Sequence, residues 1–197
     1  MAKIAIVYHS GYGHTAVQAE AVRQGASAVA GADVTLIPVE DYEKNWDVLD
    51  AADAIIFGTP TYFASGSAQF KAFLDATAAR WMEGRWANKV ASGFTNSAGM
   101  SGDKLSTLQQ INLFAMQHGM IWVGLGLPPG NHSSEGSPED LNRLAGFIGA
   151  MSQANADVGP EVAPAGSDLR TAEYLGRRVS EAAARWVTGQ SYETVSI

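Results

Sequence analysis

Five short apolar runs divide this chain, and each is separated from the next by a segment long enough for a crossover helix. Some of the intervening segments repeat apolar residues at helical intervals, as Phe70, Phe73 and Leu74 do. Apolar runs rich in β-branched residues and flanked by helices are typical of a parallel sheet that is buried on both faces. The sequence therefore predicts a doubly wound α/β fold with five parallel strands, at residues 3–8, 34–39, 54–58, 89–94 and 120–124.

Helices are predicted at residues 15–30, 67–77, 103–118 and 168–187, within a single domain that spans residues 1–197. The stretch 128–166 is different, because it is long and rich in Gly, Pro, Ser and Asn. Ser137 and Pro138 resemble the cap and first turn of a helix, which predicts a modest helix through about residue 151 between two loops. This irregular and helical excursion would either cover a ligand or form a subunit contact.

Composition excludes several classes of function. The net charge is −7 and the sequence has no cluster of Lys and Arg, which argues against binding to a nucleic acid. No apolar run approaches the roughly 20 residues of a membrane span. The chain has no cysteine, which excludes disulfides, thiol catalysis and iron–sulfur clusters and suits a reducing cytoplasm. The four histidines lack metal-ligand spacing, so no metal site is expected.

The segment from Ser10 to Thr15 follows the first predicted strand directly and opens the first predicted helix. N–H groups at a helix N-terminus favour anions, and Gly11 and Gly13 let the backbone curl around one. The loop lacks the Gly-Lys-Ser/Thr ending that accompanies a nucleoside triphosphate and magnesium. A phosphate monoester is therefore the predicted ligand of this loop.

Two further loops, at residues 58–67 and 95–102, follow the third and fourth predicted strands. The carboxyl ends of parallel strands share one edge of a sheet, so these loops should converge with the first. The earlier loop carries hydroxyls with the aromatic residues Tyr62 and Phe63, which suits the flanking of a planar ring, whereas the later one carries amides and small residues that suit a polar ring edge. Together the three loops indicate a flavin.

These motifs resemble the flavodoxin superfamily, and within it the WrbA-type NAD(P)H:quinone oxidoreductases and the NADPH-dependent FMN reductases. The resemblance spans nearly the whole chain, through Ser-x-Tyr-Gly-His-Thr at 10–15, Gly-Thr-Pro-Thr-x-Phe at 58–63, Phe-Leu-Asp at 73–75 and His-Gly-Met at 118–120. It implies FMN bound tightly without a covalent bond, and assembly as a homodimer or homotetramer.

The resemblance also implies roles for individual positions, none of them a catalytic side chain. The residues that would hold the FMN phosphate are Ser10, Tyr12, Gly13, His14 and Thr15. The isoalloxazine would be bordered by Thr61, Tyr62 and Phe63, and its pyrimidine side would be contacted by Asn96, Ser97, Ala98, Gly99, Met100 and Ser101. The substrate would meet Tyr12, Trp81 and Gln117, with Trp81 often supplied by a neighbouring subunit.

The chain departs from the WrbA-type pattern at two of these positions. Tyr62 stands where the relatives usually carry an arginine, whose guanidinium would grip the phosphates of a nicotinamide dinucleotide. Gln117 precedes His118 where the relatives often show paired histidines. The segment between residues 38 and 51 is also shorter than in those proteins.

The predicted function is FMN-dependent transfer of electrons from NAD(P)H to a quinone or a similar flat acceptor. The alternative is a flavodoxin-type electron carrier that turns over no small molecule. Carriers commonly sandwich the flavin between aromatic residues of two loops and are strongly acidic, whereas the loop 95–102 has no aromatic residue and the charge here is moderate. A third possibility is a scaffold or regulatory protein that has kept the fold without binding FMN.

Overall fold

The computed structural model describes residues 1–189 of the chain, and residues 190–197 of the predicted domain lie outside the described part. The strands are β1 (Ala2–Tyr8), β2 (Ala32–Pro38), β3 (Ala54–Tyr62), β4 (Ser65–Gly66), β5 (Val90–Ser97), β6 (Ile121–Trp122) and β7 (Ala150–Gln153). The helices are α1 (His14–Ser27), α2 (Trp46–Ala51), α3 (Ala68–Ala76), α4 (Ala78–Met82), α5 (Lys104–Gln117) and α6 (Gly166–Gly189), with a 3₁₀ helix at Val39–Asn45.

The sheet has the order β2-β1-β3-β5-β6, and neighbouring strands on this path are parallel. Among the strands of residues 1–189, only the short β4 runs antiparallel, as the return strand of a hairpin with β3. The predicted α/β class and the predicted parallel strands are confirmed. The strand order reverses at β1, and ligands of such sheets bind outside the carboxyl ends of the strands at this reversal.

The fifth position of the sheet is filled by two strands rather than one. β6 pairs with Val90 and Ala91 at the start of β5, and β7 pairs with the stretch from Phe94 to Ser97 at its end. The chain leaves the sheet after β6 and returns at Ala150. The five predicted strand positions are therefore correct, but the short strands β4 and β7 were not predicted.

The predicted helix from Ser137 to about residue 151 is wrong. Asn142 and Ala145 have φ values of 54° and 53°, in the left-handed region that a right-handed helix cannot contain. Asn142 is buried, and its backbone N–H donates to the Thr171 hydroxyl while its side-chain oxygen accepts from the N–H of Gly146. These contacts with α6 and within the loop override the local helix signal, and residues 123–149 form an irregular excursion.

The two faces of the sheet are covered by different helices, as expected from strands that are apolar on both sides. Ile4 and Ile6 of β1 face the cluster that contains the buried residues of α1 and α6, whereas Ala5 and Val7 face the cluster of α3 and α5. None of the helices in residues 1–189 combines the length and apolar character of a membrane-spanning segment.

Helix α1, whose N-terminus borders the site described below, lies unusually close to α6. A Cβ atom on Gly25 would lie 1.8 Å from the Glu173 carbonyl oxygen, and one on Gly176 would lie 1.9 Å from that of Val22. Both helices therefore need glycine at the crossing, because any side chain there would push them apart.

Candidate functional site

A cavity of about 660 Å³ lies where the carboxyl ends of β1, β3 and β5 meet. This volume is within the range of small-molecule sites, about 300–1,000 Å³. Eight of the residues assigned to the cofactor from the sequence line it: Tyr12, His14, Thr15, Thr61, Tyr62, Asn96, Ser97 and Ala98. The structure thus brings the three predicted ligand loops together.

The loop between β1 and α1 leaves the helix N-terminus free to bind a ligand. Gly13 precedes the first helical residue with φ of 90°, and no side chain caps the helix at this position. The Ser10 hydroxyl accepts from the N–H of Ala16 at 3.1 Å, so its own hydrogen remains free to donate. Within residues 1–189, the N–H groups of His14 and Thr15 have no protein acceptor. This arrangement offers several donors at the positive end of a helix dipole.

Tyr62 reaches across the same loop from the end of β3. Its hydroxyl oxygen would lie 2.6 Å from a Cβ on Gly11, and its ring meets that of Tyr12 edge to face with centroids 6.3 Å apart. Burial raises the pKa of Tyr62, and the neighbouring Tyr12 raises it further, so the phenol stays neutral. Tyr62 can donate one hydrogen bond here, where a guanidinium would offer five donors and a positive charge.

Strand β3 is longer than predicted, because residues 59–62, predicted as loop, are part of it. Its end is fixed by buried threonine hydroxyls: that of Thr61 lies 2.8 Å from both Thr95 and Thr107. The chain then turns through Phe63 and Ala64, both with positive φ, into β4. Phe63 is fully exposed at the tip of this hairpin and does not line the cavity.

Strand β5 is also longer than predicted: Asn96 and Ser97, predicted as loop, end the strand and line the cavity with Ala98, whereas later residues of the loop lie elsewhere. The Asn96 side chain is buried, and its oxygen accepts from the Ser152 hydroxyl of β7 at 2.9 Å. Met100 and Ser101 instead line a separate cavity of about 550 Å³ beside the excursion. Gly99 lines neither cavity.

One wall of the main cavity was not predicted from the sequence. It is formed by Pro60 and by residues that follow β7, namely Ala154, Ala156, Val158 and Gly159. The Nε2 atom of His14 lies 2.9 Å from the Val158 carbonyl oxygen, so this histidine ring is bound to the missed segment. These small residues carry no signal of their own, and only their position after an unrecognised strand would have identified them.

Trp81 and Gln117, predicted to meet the substrate, lie together but outside the main cavity. The Trp81 indole N–H donates to the Gln117 carbonyl at 3.0 Å, and both residues line a second cavity of about 800 Å³ between α3, α4 and α5. The Nε2 atom of His118, in the same cavity, lies 2.9 Å from the Thr77 hydroxyl, and burial lowers the pKa of this histidine. Tyr12 is the one predicted substrate residue that lines the main cavity.

Comparison with known proteins identifies the family. Residues 3–129 match the model of the NADPH-dependent FMN reductases, and the chain belongs to that family. It is 42% identical to flavodoxin FldP of Pseudomonas aeruginosa (strain UCBPP-PA14), over 91% of this chain and 96% of the relative.

Two further relatives cover almost the whole chain. It is 36% identical to an NAD(P)H dehydrogenase (quinone) of Geotalea uraniireducens (strain Rf4), over 93% of this chain and 98% of the relative. The crystal structure of a WrbA-like flavodoxin from Agrobacterium tumefaciens is similar with a TM-score of 0.74 and 41% identity, over 94% of this chain and 99% of that one. The resemblance expected from the sequence motifs is confirmed.

Proposed function

We propose that this member of the NADPH-dependent FMN reductase family is an FMN-dependent oxidoreductase that passes electrons from NAD(P)H to a quinone or a similar flat acceptor. The observation that carries the proposal is the convergence of three loops around one cavity, at one end of which the N–H groups of His14 and Thr15 at the N-terminus of α1 have no acceptor within residues 1–189. Relatives named as quinone dehydrogenases and the family match support the activity.

The donors of the cavity suit a flavin mononucleotide. A phosphate accepts hydrogen bonds only, and the free N–H groups of His14 and Thr15 and the hydroxyl of Ser10 are donors. A Cβ atom on Gly13 would lie 2.8 Å from Pro160, so the segment after β7 packs directly against this loop and leaves no room for a side chain at position 13. Tyr12, Gly13 and these three residues would hold the phosphate.

The other two loops would hold the ring system. Thr61, Tyr62 and Phe63 would border the isoalloxazine, with Tyr62 fixed by its place over the first loop. Asn96, Ser97 and Ala98 line the cavity and would contact the polar pyrimidine edge, whereas Gly99, Met100 and Ser101 of the same predicted set lie outside its wall. When bound, FMN supplies the hydride-accepting and electron-passing chemistry, and the protein supplies binding, orientation and electrostatics.

The remaining residues set access to the flavin. Asn96 and Ser97 are polar donors at the end of β5, and the loop that follows them brings no aromatic ring over the cavity, which leaves one face of the flavin ring for alternating substrates. We also propose a cytoplasmic homodimer or homotetramer in which Trp81 and Gln117 of one subunit serve the flavin of another. Because Tyr62 replaces the arginine that is usual in the WrbA-type enzymes, the phosphates of NAD(P)H gain no guanidinium contact at that position.

A second candidate is an electron carrier. The relative named flavodoxin FldP favours it, as do the exposed side chains of Tyr12, Phe63 and Met100 on the three loops. Such side chains would contact a redox protein rather than a small acceptor.

One experiment separates the two candidates. The FMN-loaded protein is mixed anaerobically with NADPH or with NADH, the visible absorbance of oxidised flavin is followed, and benzoquinone is then added. The proposal predicts rapid bleaching by at least one donor and recovery on addition of the quinone. A flavin that stays bound but is bleached by neither donor would overturn the oxidoreductase and favour the carrier.

A further inference from the structure

A fully buried lysine lies behind the loop that follows β5. Lys104 opens α5, and its Nζ atom donates to the carbonyl oxygens of Gly99 at 2.6 Å and Met100 at 3.2 Å. An ammonium group loses its hydration on burial, a cost that the structure must offset. Desolvation lowers the pKa of Lys104 to about 8, although the carboxylate of Asp168 opposes the shift.

A second side chain holds the same loop one residue earlier. The amide nitrogen of Gln153 in β7 donates to the Ala98 carbonyl at 2.9 Å. Gln153 is itself fixed, since its backbone N–H donates to the buried Asp168 at 2.9 Å. Asp168 also accepts two hydrogen bonds from Arg143, at 2.8 and 2.7 Å. Three successive carbonyls, from Ala98 to Met100, are therefore bound to side chains outside the loop.

The direction of these carbonyls fixes the direction of the N–H groups that follow them. In a trans peptide the C=O of one residue and the N–H of the next point opposite ways, and no cis bond is present in this loop. The N–H groups of Gly99, Met100 and Ser101 thus point away from Lys104 and Gln153. In the described part of the chain, none of the three has a protein acceptor.

We infer that Lys104 is a positioning residue of the flavin site: together with Gln153 it forms a clamp that fixes the backbone from Ala98, which lines the cavity, to Met100, and so holds the N–H donors of this loop in place for the polar edge of the flavin ring. The inference rests on the proposed FMN site, since Ser97 at the end of β5 and Ala98 at the start of this loop lie in the wall of the cavity. Preorganised donors stabilise negative charge where it develops, and the pyrimidine edge gains negative charge when a flavin is reduced. This clamp favours reduced over oxidised FMN.

The test compares two lysines that flank β5. Lys104→Met removes the clamp, whereas Lys89→Met removes a partly buried lysine that also donates to two carbonyls, those of Asp50 and Ala52, at the other end of the strand. FMN affinity of the apo protein is measured by fluorescence quenching, and the midpoint potential of bound flavin by equilibrium reduction against a dye. Lys104→Met should weaken FMN binding by about tenfold and lower the potential, and Lys89→Met should change neither.

A milder variant keeps the inference testable if Lys104→Met does not fold. Gln153→Met leaves the Lys104 bonds in place but removes the bond to Ala98, together with the side-chain bonds of Gln153 to Asn155 and Arg143, and should weaken FMN binding by about threefold, with a smaller fall in potential. Wild-type affinity and potential in the clamp variants would overturn the inference, as would an equal effect of Lys89→Met. Failure of the wild-type protein to bind FMN would instead refute the proposed function, so the two failures are distinguishable.

Discussion

The hairpin between β3 and β4 should become more stable when Ala64 is replaced by glycine. The two residues of its turn, Phe63 and Ala64, have φ values of 48° and 64°, which are the conformations that two-residue hairpins usually reserve for Asn and Gly. A left-handed alanine costs about 1–2 kcal/mol, because its Cβ crowds the following carbonyl. Glycine avoids that cost at this position.

The expected gain is smaller than the strain, because glycine also gives the unfolded chain more freedom, worth about 0.4–1 kcal/mol. Ala64→Gly should therefore raise the free energy of unfolding by about 0.5–1 kcal/mol, which corresponds to roughly 2 °C in Tm. The assay is urea unfolding of the apo protein, since bound ligand would add its own stabilisation.

The matched control makes the same chemical change in a regular helix nearby. Ala72 is exposed in the middle of α3, and Ala72→Gly should lower the free energy of unfolding by about 1 kcal/mol. The two substitutions are thus expected to have opposite signs. If Ala64→Gly destabilised the protein as much as Ala72→Gly does, the strained hairpin would be refuted.

Three further predictions concern the helices and loops around the site. Gly25→Ala should destabilise the protein by about 3 kcal/mol in urea unfolding despite the higher helix propensity of alanine, because its Cβ meets the Glu173 carbonyl; an unchanged midpoint would contradict the close crossing of α1 and α6. Gly13→Ala puts a side chain at a φ of 90° and in contact with Pro160, so it should weaken FMN binding at least tenfold in a quenching titration. Wild-type affinity would contradict the proposal that the loop from Ser10 to Thr15 binds the FMN phosphate. Between pH 8 and 10.5 the unfolded chain holds the Lys104 proton more tightly than the folded chain, so the wild-type free energy of unfolding should rise with pH relative to Lys104→Met; parallel pH profiles would contradict the lowered pKa.

The parts of the fold that depend on neighbouring residues could be predicted from the sequence. Strand β1 and the loop before α1 were recognised because an apolar run, two glycines and a helical pattern follow one another directly. The convergence of Thr61 and Asn96 on one cavity then follows from the rule that parallel strands share a carboxyl edge.

The parts that depend on distant partners could not be predicted. β7 has no β-branched residue, and it is a strand because the second half of β5, from Phe94 to Ser97, offers a free edge far away in the sequence. The helix predicted from Ser137 is wrong for the same reason, because the contact between Asn142 and Thr171 of α6 outweighs the local capping signal. Because β7 was not predicted, Val158 and its neighbours, which form a wall of the site, were not predicted as site residues either.

The claim on which the whole account depends is that the three-loop cavity holds FMN by its phosphate. Parallel titrations of the apo protein with FMN and with riboflavin, which lacks the phosphate, test it most directly. Saturation at one FMN per chain is expected, with riboflavin binding at least a hundredfold weaker, because the donors of Ser10, His14 and Thr15 then face no anion. Equal affinity for the two flavins, or no saturable binding of FMN, would contradict it.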